Sequence, residues 1–166
     1  MSFTIASRLA DLPRPATIAM AARARELRAQ GADVISLALG QPDFPSPPEA
    51  IEAAYAAAKA GDTGYPPIPG QKPLIDAIIR KFRRDNELDV APHRIMVANG
   101  GKQIIFNALM ASLEVGDEVI IPAPYWVSYP LITRMLGGVP VEIRCREENG
   151  FRPDPEAIRE AITPRT

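Results

Sequence analysis

The run Ala98-Asn99-Gly100-Gly101-Lys102-Gln103 holds the residue types best suited to chemistry in this chain. An apolar stretch at residues 94–98 ends on a small polar residue and two glycines, and helical spacing begins at once with Ile104, Ile105, Ala108 and Leu109. That is the pattern of a strand feeding a helix N-terminus. Glycines there let a bound group approach the backbone, the first-turn amides lack intrahelical acceptors, and the helix dipole favours negative charge. The turn therefore suits a phosphate, with Lys102 adding a mobile cation. A Gly-rich turn opening a helix is also a common way to turn any α/β chain, and both readings stand at this point. The patterns G-x-x-x-x-G-K-[ST] and G-x-G-x-x-G do not occur, so a phosphate held here belongs to something other than a Walker-type nucleotide.

Composition narrows the remaining chemistry. With 166 residues, 46% hydrophobic and 23% charged, the chain has about one domain's worth of core. Its 19 basic and 20 acidic residues leave no basic footprint for nucleic acid or an anionic membrane. No apolar run is long enough to span a bilayer and no secretory signal opens the chain, so a cytoplasmic location is expected. Cys145 and His93 are each the sole residue of their type, which disfavours disulfides, Cys/His metal sites and any imidazole-dependent nucleophile. His93 reads as a surface loop residue and Cys145 as an inert small side chain at a strand end.

The elements that must position the glycine turn follow from periodicity and punctuation. An Ala/Arg-rich amphipathic helix over 18–30 is closed by Gly31, and a short strand follows at 34–39. A loop from Gly40 to Ser46 leads to a helix capped by Ser46, with prolines in its first turn, that runs to Ala60 and stops at Gly61. A second Pro/Gly-rich loop, 62–70, precedes a helix with Leu74, Ile75, Ile78, Ile79 and Phe82 on its apolar side; Arg80, Lys81, Arg83 and Arg84 form its solvated face. Then come strand 94–98, helix 102–113, strand 118–121, helix 127–136, strand 139–143 and a helix from Asp154 or Pro155. This alternation predicts an α/β fold, a three-layer, mainly parallel sheet with helices on both faces. The chain stops where another strand is expected, so the sheet looks unfinished.

Four segments occur in order at compatible spacings: Gly40-Gln41-Pro42-Asp43-Phe44, Gly64-Tyr65, Gly100-Gly101-Lys102, and Pro124-Tyr125-Trp126-Val127-Ser128-Tyr129-Pro130. Together they resemble the N-terminal part of fold type I pyridoxal-phosphate enzymes, specifically class I aminotransferases of the bacterial aspartate aminotransferase type. The resemblance implies a large domain begun but not completed: residues 1–46 would form the N-terminal arm, helix and substrate-side loop, and 47–166 the first part of the cofactor-binding domain. It implies pyridoxal 5'-phosphate as cofactor, amino-acid and 2-oxo-acid substrates, and a homodimer. Gly100, Gly101 and Lys102 would hold the cofactor phosphate, and Tyr65 would reach the phosphate of the other subunit. Trp126 would stack on the pyridine ring and help orient substrate, and the Gly40 backbone would meet the substrate carboxylate.

Each assignment has a plainer counterpart: a turn glycine at Gly40, an aromatic anchoring a Pro-rich loop at Tyr65, a core tryptophan at Trp126. The position of Trp126 just past the C-terminal end of a strand, where open α/β sheets bind ligands, favours function. In relatives that accept prephenate a lysine precedes the segment matching residues 12–17; here Arg14 lies near but not at that place, which leaves substrate breadth open. The lysine that would form a Schiff base with the cofactor, and the other polar partners of its ring, are expected beyond Thr166, so no catalytic residue is assigned and the chain alone is expected to be inactive. A β-lyase on the same fold and a non-catalytic binder of a phosphorylated ligand are the alternatives. No metal site is expected.

Overall fold

The structure is a computed structural model and describes residues 4–10, 16–40 and 42–166. In chain order the helices and strands are α1 (Ser7–Ala10), α2 (Ala16–Ala29), α3 (Pro48–Lys59), α4 (Lys72–Asn86), α5 (Gly101–Ser112), β1 (Glu118–Ala123), α6 (Ser128–Met135), β2 (Val139–Arg144) and α7 (Pro155–Ala161). They fall into two compact units. One joins the described residues of Met1–Leu39 to Gly101–Thr166, and the other is Gly40–Gly100. Arg14 and Gln41 lie outside the described residues.

In the first unit β1 and β2 pair in parallel, with Glu118 opposite Val139 and Ala123 opposite Arg144. A parallel pair needs a crossover, and α6 supplies it. Helix α6 packs on both strands, α5 and α1 pack on α6, and α7 packs on β2. Ile121, Ile132, Ile143 and Cys145 are buried. Thr133 is fully buried among them, and its hydroxyl donates to the Tyr129 carbonyl at 3.0 Å, so no polar atom is stranded. Gly138 follows the turn out of α6, where an added Cβ would lie 2.5 Å from Leu113 Cδ2. Residues 163–166 fold back on the start of β1: Glu118 N–H donates to the Arg165 carbonyl at 2.8 Å, and the Arg165 guanidinium donates to the Gly116 carbonyl at 2.7 Å.

In the second unit α4 turns Ile75 inward, with Ile78, Ile79 and Phe82 half-buried beside it. Leu74, expected on the same stripe, is 46% exposed. The basic residues of α4 behave as the solvated face their spacing predicted: Arg83 pairs with Asp89 and Arg84 with Asp85. Ile95 is buried, and Val97 N–H donates to the Pro69 carbonyl at 2.9 Å. Gly70 sits against Val97 with a positive φ of 116°, a position only glycine fills without strain.

Three local expectations are corrected. Residues 34–39 form no strand; exposure alternates as in one, with Ile35 and Leu37 outward, but no partner strand bonds them, and the Arg28 guanidinium takes the Val34 carbonyl at 2.7 Å. Residues 94–98 likewise form no strand: a 3₁₀ turn at Pro92–Arg94 uses the amides of Arg94 and Ile95 locally. Ser46 does not cap α3, because Pro47 takes the cap position and its carbonyl accepts from Ala50 N–H at 3.0 Å. By contrast α7 is capped as its sequence suggests, the Asp154 carboxylate accepting from Glu156 N–H at 3.0 Å ahead of Pro155.

Candidate functional site

The glycine turn ends at α5, which begins on Gly101, one residue before its expected start. Gly100, the preceding residue, has a φ of 89°, so the backbone there requires glycine. Gly101 is different. Its φ lies outside the left-handed region, and an added Cβ would meet nothing within 4 Å. The fold thus gives no reason for glycine at Gly101, although glycine costs a helix about 0.5–1 kcal/mol relative to alanine. A glycine the fold does not need, at an amide-rich helix start, fits close approach by an outside group. An anionic group such as a phosphate matches the polarity of that terminus.

Lys102 projects from the same turn, its ammonium 5.8 Å from the centroid of the Trp126 ring. That is within range of a cation–π contact worth roughly 0.5–1 kcal/mol at an exposed site. The two side chains border a depression of about 160 Å³ whose wall also includes Gly101, Ile105, Ser128 and Tyr129. Trp126 is 43% exposed, so its ring is available at the surface rather than locked in the core. Residues 124–127 connect β1 to α6 and carry Trp126 just past the C-terminal end of β1. Tyr129 N–H donates to the Trp126 carbonyl at 3.1 Å. The Glu142 carboxylate near the Tyr125 phenol pushes its pKa above the usual value.

The first unit therefore brings Gly101, Lys102 and Trp126 together. Gly100, Gly40 and Tyr65 belong to the second unit, where Gly40 and Tyr65 are exposed, Tyr65 fully so. At Gly40, as at Gly101, no positive φ and no neighbouring atom calls for glycine. Ser128 and Tyr129 had no assigned place in the site although both stand in the Pro124–Pro130 motif; the signal was their spacing from Trp126 across the start of α6. His93 is exposed and Cys145 buried. Among the described residues no three His, Cys, Asp or Glu side chains gather as a metal site, and no helix is long and apolar enough to cross a membrane.

Residues 32–166 match the family described as "Aminotransferase class I and II". The chain is 49% identical over 162 residues to the probable aspartate/prephenate aminotransferase of Thermus aquaticus, a match covering 98% of this chain and 42% of that protein. It is 45% identical over 162 residues to the aspartate aminotransferase of Geobacillus stearothermophilus, covering 98% and 41% respectively. Among solved structures it superposes on the Rhizobium meliloti aspartate aminotransferase with a TM-score of 0.92 at 44% identity, over 99% of this chain and 41% of that one. For the Thermus thermophilus aspartate aminotransferase with maleate the TM-score is 0.93 at 47% identity, over 99% and 43%. The chain spans about two fifths of the length of the curated relatives it matches. The expected α/β fold, that of the fold type I aminotransferases, is the fold it has. By sequence match and by superposition alike, the chain belongs to the class I and II aminotransferase family.

Proposed function

We propose that the chain is the N-terminal segment of a cytoplasmic, homodimeric aminotransferase that moves an amino group between an aspartate-type L-amino acid and a 2-oxo acid, with pyridoxal 5'-phosphate as cofactor. The observation that carries this reading is the meeting of Gly101, Lys102 and Trp126 around one depression at the start of α5. In this assignment residues 1–46 provide the arm and substrate-side loop, and 47–166 begin the cofactor-binding domain. When bound, the cofactor supplies an electron sink for the amino-acid α-carbon.

The chain's own residues do the holding. The α5 amides and Gly100–Gly101 receive the phosphate, Lys102 neutralises part of its charge, and Trp126 offers the flat face against which the ring rests. Gly40 leaves its backbone open to a substrate carboxylate, and Tyr65 extends to the phosphate of the second subunit. The remaining lysines do not serve as the base that takes the α-proton: Lys72 is paired with Asp76 at 2.6 Å, Lys81 donates to Asn86 Oδ1 at 2.6 Å, and Lys59 is exposed on the last turn of α3. That base lies in the further length its relatives have.

The test is an absorbance titration of the full-length polypeptide with pyridoxal 5'-phosphate, followed by addition of aspartate and 2-oxoglutarate. Saturable uptake and amino transfer are expected. Absence of any cofactor spectral change would overturn the reading.

A further inference from the structure

Trp126 borders two depressions with different walls. One is formed by the end of β1, the turn that follows it and Tyr129, and no residue of α5 reaches it. The other, of about 160 Å³, is the one walled by Gly101, Lys102 and Ile105 of α5. A ligand that sets an anion on the first turn of α5 and a flat ring on the indole has to use this second depression, because only there are the two surfaces continuous. The Lys102 ammonium stands over the indole, 5.8 Å from its centroid. Lys102 is exposed, and among the described residues no carboxylate pairs with it, whereas Lys72 is tied to Asp76. It is also the one charged side chain among the described residues of that wall.

We propose that Lys102 gates the Trp126 platform: its ammonium covers the indole beside α5, and an anion at the start of α5 draws it aside, so that an anion and a flat ring bind there cooperatively. The inference rests on the cofactor reading given above, whose phosphate and ring would be the two coupled parts of one ligand. Magnitudes decide which way the ammonium goes. A cation over an exposed indole is worth roughly two- to fivefold in an equilibrium, and an ammonium on a phosphate roughly ten- to a hundredfold. Both contacts draw on the same ammonium, and the flexible stem of Lys102 lets it swing from one to the other. Where no anion is bound, a ring entering the depression has to displace Lys102 and forfeits its contact with the indole. Where one is bound, that cost is already met. Such coupling is reciprocal, so a ring on Trp126 must favour the anion by the same factor.

The decisive comparison uses the cofactor-free full-length polypeptide as wild type, Lys102→Ala and Lys102→Arg, with inorganic phosphate and pyridoxine, the phosphate-free ring, as separate probes. Two quantities are read: acrylamide quenching of Trp126 emission, isolated by subtracting a Trp126→Phe variant, and pyridoxine affinity by equilibrium dialysis with and without phosphate. In the wild type, phosphate is expected to raise quenching saturably, by uncovering the indole, and to tighten pyridoxine binding roughly two- to fivefold. Chloride at equal ionic strength should do neither. Lys102→Ala should show high quenching and the tighter pyridoxine binding from the outset, with no further response to phosphate. Lys102→Arg, which keeps a cation for both partners, should respond as the wild type does. A wild-type indole indifferent to phosphate, equal responses to phosphate and chloride, or a Lys102→Ala protein that keeps the coupling or binds pyridoxine more weakly would each overturn the proposal. Failure of the wild type to take up pyridoxal 5'-phosphate would overturn the aminotransferase reading instead, while the quenching response to inorganic phosphate, which needs no cofactor, would still decide the gate.

Discussion

Lys102 faces an indole within its own unit and stands on the first turn of a helix, so its removal separates two roles. Loss of a charge-assisted phosphate contact predicts that Lys102→Ala weakens cofactor affinity by about 1.5–3 kcal/mol, roughly ten- to a hundredfold. Spectral titration checks it; unchanged affinity would mean that the ammonium serves only the indole. Trp126→Ala should abolish energy transfer from the indole to the cofactor and reduce turnover, yet cost well under the roughly 3–5 kcal/mol of a buried tryptophan, since the ring is 43% exposed. Denaturant melts that show a full core-sized loss would contradict this. For Tyr125 the influence of the Glu142 carboxylate raises the phenol pKa, so any stability it lends is complete below the unfolded-state value near 10 and disappears as pH climbs through the higher folded value. Absorbance near 295 nm in Tyr125→Phe should lack a late-titrating tyrosine, and in Glu142→Gln that tyrosine should titrate earlier. The glycines, Lys102 and Trp126 were legible in the sequence because their motifs are short. Glu142 was not, since its place beside Tyr125 depends on a strand register set by residues far from the motif.

Among the elements, the longer helices were readable and two strands were not, for one physical reason. A helix closes its hydrogen bonds within itself, so α4, α5 and α6 appeared within about one residue of where apolar spacing, Gly and Pro placed their starts. A strand exists only through a partner. Residues 34–39 alternate in exposure as a strand should, and 94–98 are apolar enough to be one, yet neither has a ladder neighbour among the described residues. The turn before α5 yields an element-scale prediction: Gly100→Ala should destabilise by about 1–2 kcal/mol because its φ of 89° is left-handed, whereas Gly101→Ala should be neutral or stabilising. Chemical denaturation of the two variants gives the comparison. If Gly101→Ala leaves stability intact and still lowers cofactor affinity, the glycine serves the ligand rather than the helix.

For the whole molecule, the chain displays more apolar surface than its own packing covers. Ile35, Leu37, Phe44, Tyr65, Ile68 and Val115 are each at least 80% exposed, and α3 buries no residue at all. Such surface favours association. Met1–Thr166 expressed alone is therefore expected to self-associate on size exclusion and to show no amino transfer, while a longer polypeptide elutes as a discrete species and turns over. A monodisperse, active Met1–Thr166 would refute both expectations. Within this chain the parallel pair β1–β2 differs in kind from the sheet's expected remainder: its partners lie only about twenty positions apart, with α6 between them. Short loop closure makes such a unit quick to form. During synthesis at about 5–20 residues per second, this β-α-β unit can close from contacts within its own short stretch of chain. The amides of β1 and β2 should accordingly gain the earliest protection in pulsed hydrogen exchange, which would make the strand end that leads into Trp126 one of the first parts of the chain to take shape.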